Sequence, residues 1–176
     1  GYFMQGGTGL PDPAFYIRED AASREILGLY NAYVQRILAL TGTAEADLAA
    51  ESQAVIDLET RIARASAPVA ALRDPRQNYA MVPTEGLDKT WKRLQLEEFL
   101  AAQGVQDTGV SIANPALFAA LDGLVGSLKP AQWKTYLRFH VGNAMAPYLS
   151  KGFRDAAFDF RGRVLQGQAE QPAREQ

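Results

Sequence analysis

A chain of 176 residues, 47% apolar and 22% charged, is long enough to bury its own core without a disulfide or a metal staple. The absence of cysteine excludes disulfide and thiol chemistry, and a net charge of −2 argues against nucleic acid, whose phosphates need a concentrated basic face. No apolar run approaches the roughly 18 residues of a membrane span, so none is expected in this chain. The first residue is glycine and Met4 lies inside the chain, so no signal peptide is read and the sequence is expected to be a processed or partial chain.

Residues 1–9 read as a severed strand or tail. Tyr2, Phe3 and Met4 suit a short strand, with no evident partner in the sequence. Gly6, Gly7 and Gly9 invite a phosphate-loop reading, but no Lys-Ser/Thr pair follows and no helix starts after Gly9, so a turn is expected. The first long helix is predicted to start at Asp20 or Ser23 as N-cap, with Ile26, Tyr30, Tyr33, Ile37 and Leu40 on its apolar face. Gly42 suits the position after that helix, and Thr43 is the expected N-cap of the next. So short a connection predicts an antiparallel helical hairpin.

The second helix carries the clearest periodicity in the chain. Leu48, Val55, Leu58, Ile62, Ala65, Val69 and Leu72 recur at helical spacing, while Glu51, Asp57, Glu59, Arg61 and Arg64 are expected to face water or a polar neighbour. Pro68 is expected to end or kink it, ahead of the polar stop Arg73-Asp74-Pro75. Further along, Thr84 is read as capping a short turn, Leu94 to Gln103 as a short helix, and Gly109 to Ile112 as an extended piece. Asn114-Pro115 is a cap-plus-proline helix start. Pro130 opens a helix expected to line one side with Trp133, Leu137, Val141, Ala144 and Tyr148. It is broken near Pro147 and continued through Phe153, Phe160 and Val164. The expected fold class is all-α: a multi-helix orthogonal or irregular bundle with an N-terminal helical hairpin and a long kinked C-terminal helix pair. Residues 10–167 form the helical domain and residues 168–176 a polar tail.

No residue is assigned a catalytic, cofactor-binding or metal role. His140 is the only histidine, and one histidine beside an apolar stripe is far short of a zinc ligand set, so a packed or surface role is expected. No nucleophile elbow accompanies it, which leaves a small hydrolase built on His140 as a weak reading. Glu97-Glu98 and Asp155 with Asp159 are read as solvated faces rather than acid/base pairs. Arg73 is expected to pair with Glu59 or with the loop of Asp74, meeting the carbonyls freed at the helix exit.

Six islands then fall in order: Gln5-Gly6-Gly7-Thr8-Gly9-Leu10-Pro11-Asp12 with Phe15-Tyr16; Leu58-Glu59-Thr60; Arg73-Asp74-Pro75 with Tyr79; Trp133-Lys134-Thr135-Tyr136-Leu137-Arg138; Ala146-Pro147-Tyr148-Leu149-Ser150; and Phe158-Asp159-Phe160 with Leu165-Gln166-Gly167. Together they resemble the N-terminal, largely helical region of the neprilysin/endothelin-converting-enzyme family of zinc metallopeptidases. The chain departs from the family pattern at Pro13, where Arg is usual, at Ala80, where Asn is usual, and at Glu175, where Trp is common.

The resemblance implies a parent metalloendopeptidase that cleaves small peptides with a zinc-activated water. Its H-E-x-x-H motif and third ligand would lie far downstream of these residues. This region is then the non-catalytic helical domain that limits access to the active site, binding no zinc itself. Its partners are the catalytic domain of the same polypeptide and, in the parent, peptide substrates. The animal members are disulfide-linked ectodomains. A chain without cysteine therefore points to a bacterial member, expected in the periplasm or outside the cell. The competing reading is a free-standing helical protein-interaction module with no enzymatic role.

Overall fold

The computed structural model describes residues 1–74, 76 and 78–171. Pro75, which closes the Arg-Asp-Pro stop, and the tail positions Arg174 and Glu175 lie outside the described residues. The described chain is predominantly helical. It contains α1 (Ala21–Leu40), α2 (Leu48–Ala65), α3 (Val69–Leu72), α4 (Leu87–Thr90), α5 (Leu96–Ala102), α6 (Pro115–Ser127), α7 (Pro130–Met145) and α8 (Lys151–Ala157). Three short strands, β1 (Tyr2–Phe3), β2 (Met81–Pro83) and β3 (Gly109–Ile112), form a sheet in the order β1-β3-β2. No helix among the described residues is long and apolar enough to cross a membrane.

Two compact units interleave along the chain. One comprises Gly1–Ala14 and Arg61–Leu128, and the other Phe15–Thr60 and the chain from Lys129 onward. The first unit holds the sheet. Tyr2 and Phe3 have the partner that the sequence did not reveal: they pair in parallel with Ser111 and Ile112, while Met81–Pro83 pairs antiparallel on the other side of β3. Strands of two to four residues carry too little alternation to be read, except where Gly109 to Ile112 runs apolar. The core here is Leu87, Trp91, Leu96, Leu100, Val110, Ile112 and Phe118, with Phe3 packed edge-on to Phe118 at 5.7 Å.

Local hydrogen bonds in this unit replace several expected ones. Gln5 acts as a short strand in itself: its side-chain amide donates to the Ala67 carbonyl at 3.0 Å and accepts from the Ala67 N–H at 2.8 Å. Asn114 caps α6 by accepting from the Leu117 N–H at 3.1 Å, and its amide also donates to the Ala65 carbonyl at the end of α2. The exit carbonyls assigned to Arg73 are met instead by Asn78, whose amide donates to Leu72 at 2.7 Å and Asp74 at 2.9 Å. An amide four to six residues on reaches those carbonyls without a guanidinium. Thr84 does not cap α4 with its hydroxyl, which donates to the Asp107 carbonyl. Glu97 takes that role, accepting from the N–H groups of Gly86 at 2.8 Å and Asp88 at 3.0 Å, so it is a cap rather than part of a solvated face.

In the second unit Asp20 caps α1 as expected, accepting from the Ser23 N–H at 2.9 Å. The other end of α1 closes in a Schellman arrangement: Thr43 N–H donates to Leu38, Gly42 N–H to Ala39, and Gly42 takes φ +96°. Thr43 is therefore spent on this closure and does not cap α2, which is entered through a 3-10 turn at Glu45–Asp47. Its hydroxyl donates to Glu51 at 2.7 Å, and Arg138 reaches the same carboxylate and hydroxyl. Tyr30 meeting Glu59 and Thr43 meeting Glu51 establish the antiparallel hairpin of α1 and α2.

Helix α1 packs on α7 and α8. The side of α7 read from the sequence is not its buried side. Trp133 is half-buried, Leu137, Val141, Ala144 and Tyr148 are exposed, and the core side is Tyr136, Phe139 and Gly142. Both sides of α7 are apolar, so periodicity alone gives no preference between them. The break at Pro147 is a 3-10 turn, Ala146–Tyr148, and the chain beyond α8 continues as π-helix over Phe158–Leu165. Phe158, Phe160 and Gly162 are buried there, and Phe160 stacks on Tyr33 at 5.0 Å.

Two glycines set how closely these elements approach. A Cβ at Gly142 would lie 3.0 Å from Ile37 Cγ2 on α1, and one at Gly162 would lie 2.5 Å from the Phe158 ring. Gly142→Ala and Gly162→Ala are each expected to lower unfolding free energy by about 1–3 kcal/mol in urea titrations. Gly28→Ala, at an exposed position of α1 with nothing within 4 Å of the new Cβ, is expected to raise it by about 0.5–1 kcal/mol.

Candidate functional site

The one fully buried carboxylate among the described residues is Glu59, on α2 within the second unit. It follows Val55 by four residues and precedes Ile62 by three, so the stripe itself turns it inward instead of toward water. Three side chains converge on it. Tyr16, from the 3-10 turn Pro13–Tyr16, donates its hydroxyl to Oε2 at 2.7 Å; Tyr30 of α1 donates to Oε1 at 2.9 Å. His140 of α7 sits with Nε2 2.7 Å from Oε1, a bond in which the imidazole proton lies on Nε2 when the carboxylate accepts. The expected packed role of His140 is thus realised as a pairing, and α7's apolar core side carries one polar group with a partner.

An aromatic shell closes the cluster. Tyr30 lies edge-on to Phe139 at 6.0 Å and against Phe160 at 5.5 Å, and Tyr136 covers the His140 ring at 4.3 Å. Burial, then the neighbouring Glu59, pushes the Tyr30 phenol well above its ordinary value, and the same two causes raise Tyr136. Burial also raises Tyr33, whose hydroxyl donates to Asn143 at 2.6 Å.

This arrangement can hold helices together but has little to offer a substrate. Glu59 has no exposed surface and its oxygens are taken by two phenols and an imidazole. A histidine paired with a carboxylate is two-thirds of a hydrolytic triad, but nucleophilic catalysis also needs an activated nucleophile against the other imidazole nitrogen. The donor set does not fit zinc either: the chain has one histidine and no cysteine, and the described residues contain no group of three or more His, Cys, Asp or Glu placed to hold a metal ion.

The other acidic candidates are engaged locally. Asp155 pairs with Lys151 at 2.7 Å, mainly through the hydrogen bond that lowers its pKa, and Asp159 pairs with Arg36 at 2.7 Å and Arg163 at 2.9 Å. These exposed pairs are the solvated face expected of them. Gly6 to Thr8 carry no regular structure, Gly7 takes φ +96° and Gly9 begins a bend, so the expected turn is not formed there. The importance of Glu59 was available in the sequence only as its place on the apolar stripe and its membership of the Leu58-Glu59-Thr60 island.

Removing the carboxylate takes away the acceptor shared by two phenols and an imidazole. Glu59→Ala is expected to cost about 3–5 kcal/mol in denaturant unfolding, and Glu59→Gln, which keeps a carbonyl acceptor, less. The raised phenols give a pH signature. A folded-state value above the unfolded value near 10 contributes stability that is complete below that value and is lost as pH rises past it. The urea midpoint is therefore expected to fall between about pH 9 and about pH 11. Tyr136→Phe should flatten that slope.

Comparison with known proteins places this geometry. The sequence-family model described as Peptidase family M13 matches residues 1–176. Mouse endothelin-converting enzyme-like 1 is 27% identical over 158 residues, spanning 86% of this chain and 20% of its own length. Neprilysin-3 of Drosophila melanogaster is 23% identical over 164 residues, spanning 86% of this chain and 21% of its own length. Among solved structures, the zinc metalloprotease Zmp1 of Mycobacterium tuberculosis in complex with an inhibitor superposes with a TM-score of 0.87 at 25% identity, covering 99% of this chain and 27% of that one. PepO of Lactobacillus rhamnosis shares the fold, with a TM-score of 0.80 at 23% identity over 96% of this chain and 27% of its own. The chain thus spans about a fifth of the length of the curated relatives it matches. It belongs to peptidase family M13, the family of the neprilysins and endothelin-converting enzymes, and corresponds to that family's N-terminal region.

Proposed function

We propose that this chain is the non-catalytic helical part of a zinc-dependent metalloendopeptidase acting on small peptides, and that it limits access to an active site carried by a catalytic domain of the same polypeptide. The observation that carries the reading is a family match over all 176 residues in a chain that spans only 27% of the Zmp1 structure. The donor chemistry supports it: Glu59 and His140, the best acid-base pair available, are spent on each other inside a core. Zinc in the parent would be held and used outside these residues, and no step of its chemistry is routed through them. A bacterial origin and a periplasmic or extracellular location belong to the same proposal; the absence of cysteine bears on the first and leaves the compartment open.

The test is to express the native reading frame and, separately, residues 1–176. The whole product is expected to cleave short peptides, to lose that activity to a chelator and to spare large folded proteins. Residues 1–176 alone are expected to cleave nothing. Chelator-sensitive cleavage by residues 1–176 would overturn the non-catalytic role. Efficient digestion of large folded proteins by the whole product would overturn the access-limiting one. A free-standing interaction module is the second reading, favoured by the exposed apolar face of α7. A native frame without H-E-x-x-H would select it.

A further inference from the structure

Helix α7 is apolar on two opposite sides. Tyr136, Phe139 and Gly142 occupy the core side. Trp133, Leu137, Val141 and Met145 recur at steps of four on the other, and Tyr148 prolongs the row into the following turn. Steps of four advance about 40° round a helix, so these side chains form one slowly winding stripe. Leu137 is 53% exposed, Val141 61% and Tyr148 81%. A helix apolar on all sides belongs in an interior, and a contiguous exposed apolar row marks an interface.

The flanking charge narrows the partner. From Lys129 to Arg154 the chain carries no Asp or Glu; Arg138 and Lys151 are already paired with Glu51 and Asp155, and Lys129 and Lys134 are the cations set beside the stripe. Lysines beside an apolar row fit a surface that offers carboxylates. A second copy docked on the same face through a two-fold axis would set cations against cations, which is unfavourable. The Zmp1 structure supplies the remaining constraint: this chain accounts for 99% of itself but only 27% of that chain, so most of the polypeptide available to cover the stripe lies outside these residues.

We propose that the Trp133-Leu137-Val141-Met145-Tyr148 stripe is the seat of the catalytic part of the same polypeptide, which docks through an apolar patch rimmed by carboxylates. This rests on the reading of the chain as part of a longer peptidase.

The experiment uses the product of the native reading frame, as wild type, as the Leu137→Gln/Val141→Gln pair and as Lys134→Glu. The pair is expected to lower the melting temperature by several degrees and to increase binding of a hydrophobic dye. Lys134→Glu is expected to lower the melting temperature at low salt and much less at high salt. Unchanged melting temperature and dye binding in the pair would overturn the proposal. So would wild-type binding to phosphatidylserine vesicles that the pair abolishes without a change in melting temperature, which would assign the stripe to lipid. A dimer that the pair converts to monomer would assign it to a second copy. A native frame lacking a peptidase part would remove both this proposal and the functional reading, whereas an unchanged melting temperature in a proven zinc peptidase would remove this proposal alone.

Discussion

A carboxylate cannot be taken out of water without a replacement for its hydration, and Glu59 has no exposed surface. The second unit is arranged around that demand. The 3-10 turn at Tyr16, helix α1 through Tyr30 and helix α7 through His140 each send one polar group to it. Because His140 lies more than a hundred residues beyond Tyr16 and Tyr30, the cluster ties the start of the unit to its end. Its directional bonds also fix which side of α7 faces inward, a choice that nonpolar packing leaves nearly degenerate. Aromatic rings then exclude water, which strengthens the bonds already made and raises the cost of leaving any one unmade.

The same interior explains why the cluster is structural in character. An acid-base pair serves a reaction when it meets a substrate. Here the tyrosines consume the carboxylate oxygens, Tyr136 lies over the imidazole, and the phenols are held protonated by burial. The exposed apolar row on α7 has the opposite character: Leu137, Val141 and Tyr148 turn to solvent.

Much of the local architecture was legible. Asp20, Gly42, Asn114-Pro115 and Pro147 mark helix ends through backbone chemistry confined to a few residues, and each acts where it was expected. The ordered islands made the family legible as well, and the family model spans the whole chain. The expectations that failed were those in which another group, near or far in the chain, competes for the same partner. Thr43 is drawn into the closure of α1 and the pair Glu51 and Arg138; Arg73 is made redundant by Asn78; Thr84 yields its cap to Glu97. Each alternative is sound locally, and a competing group, as near as Asn78 or as far as Arg138, decides between them. The sheet was missed for a related reason: strands of two to four residues have too short a period to detect, and β1 exists because β3, more than a hundred residues away, offers an edge.

By itself, then, the sequence determined where helices begin and end, which stretches are amphipathic, and the family, because caps, prolines and motif islands act over a handful of neighbouring residues. Tertiary structure alone decided which three partners Glu59 meets, that Tyr136 and Phe139 rather than Leu137 and Val141 enter the core, and that the first residues join a sheet. Those outcomes depend on desolvation and on hydrogen bonds between segments far apart in the chain. Neither quantity is defined until the chain has folded.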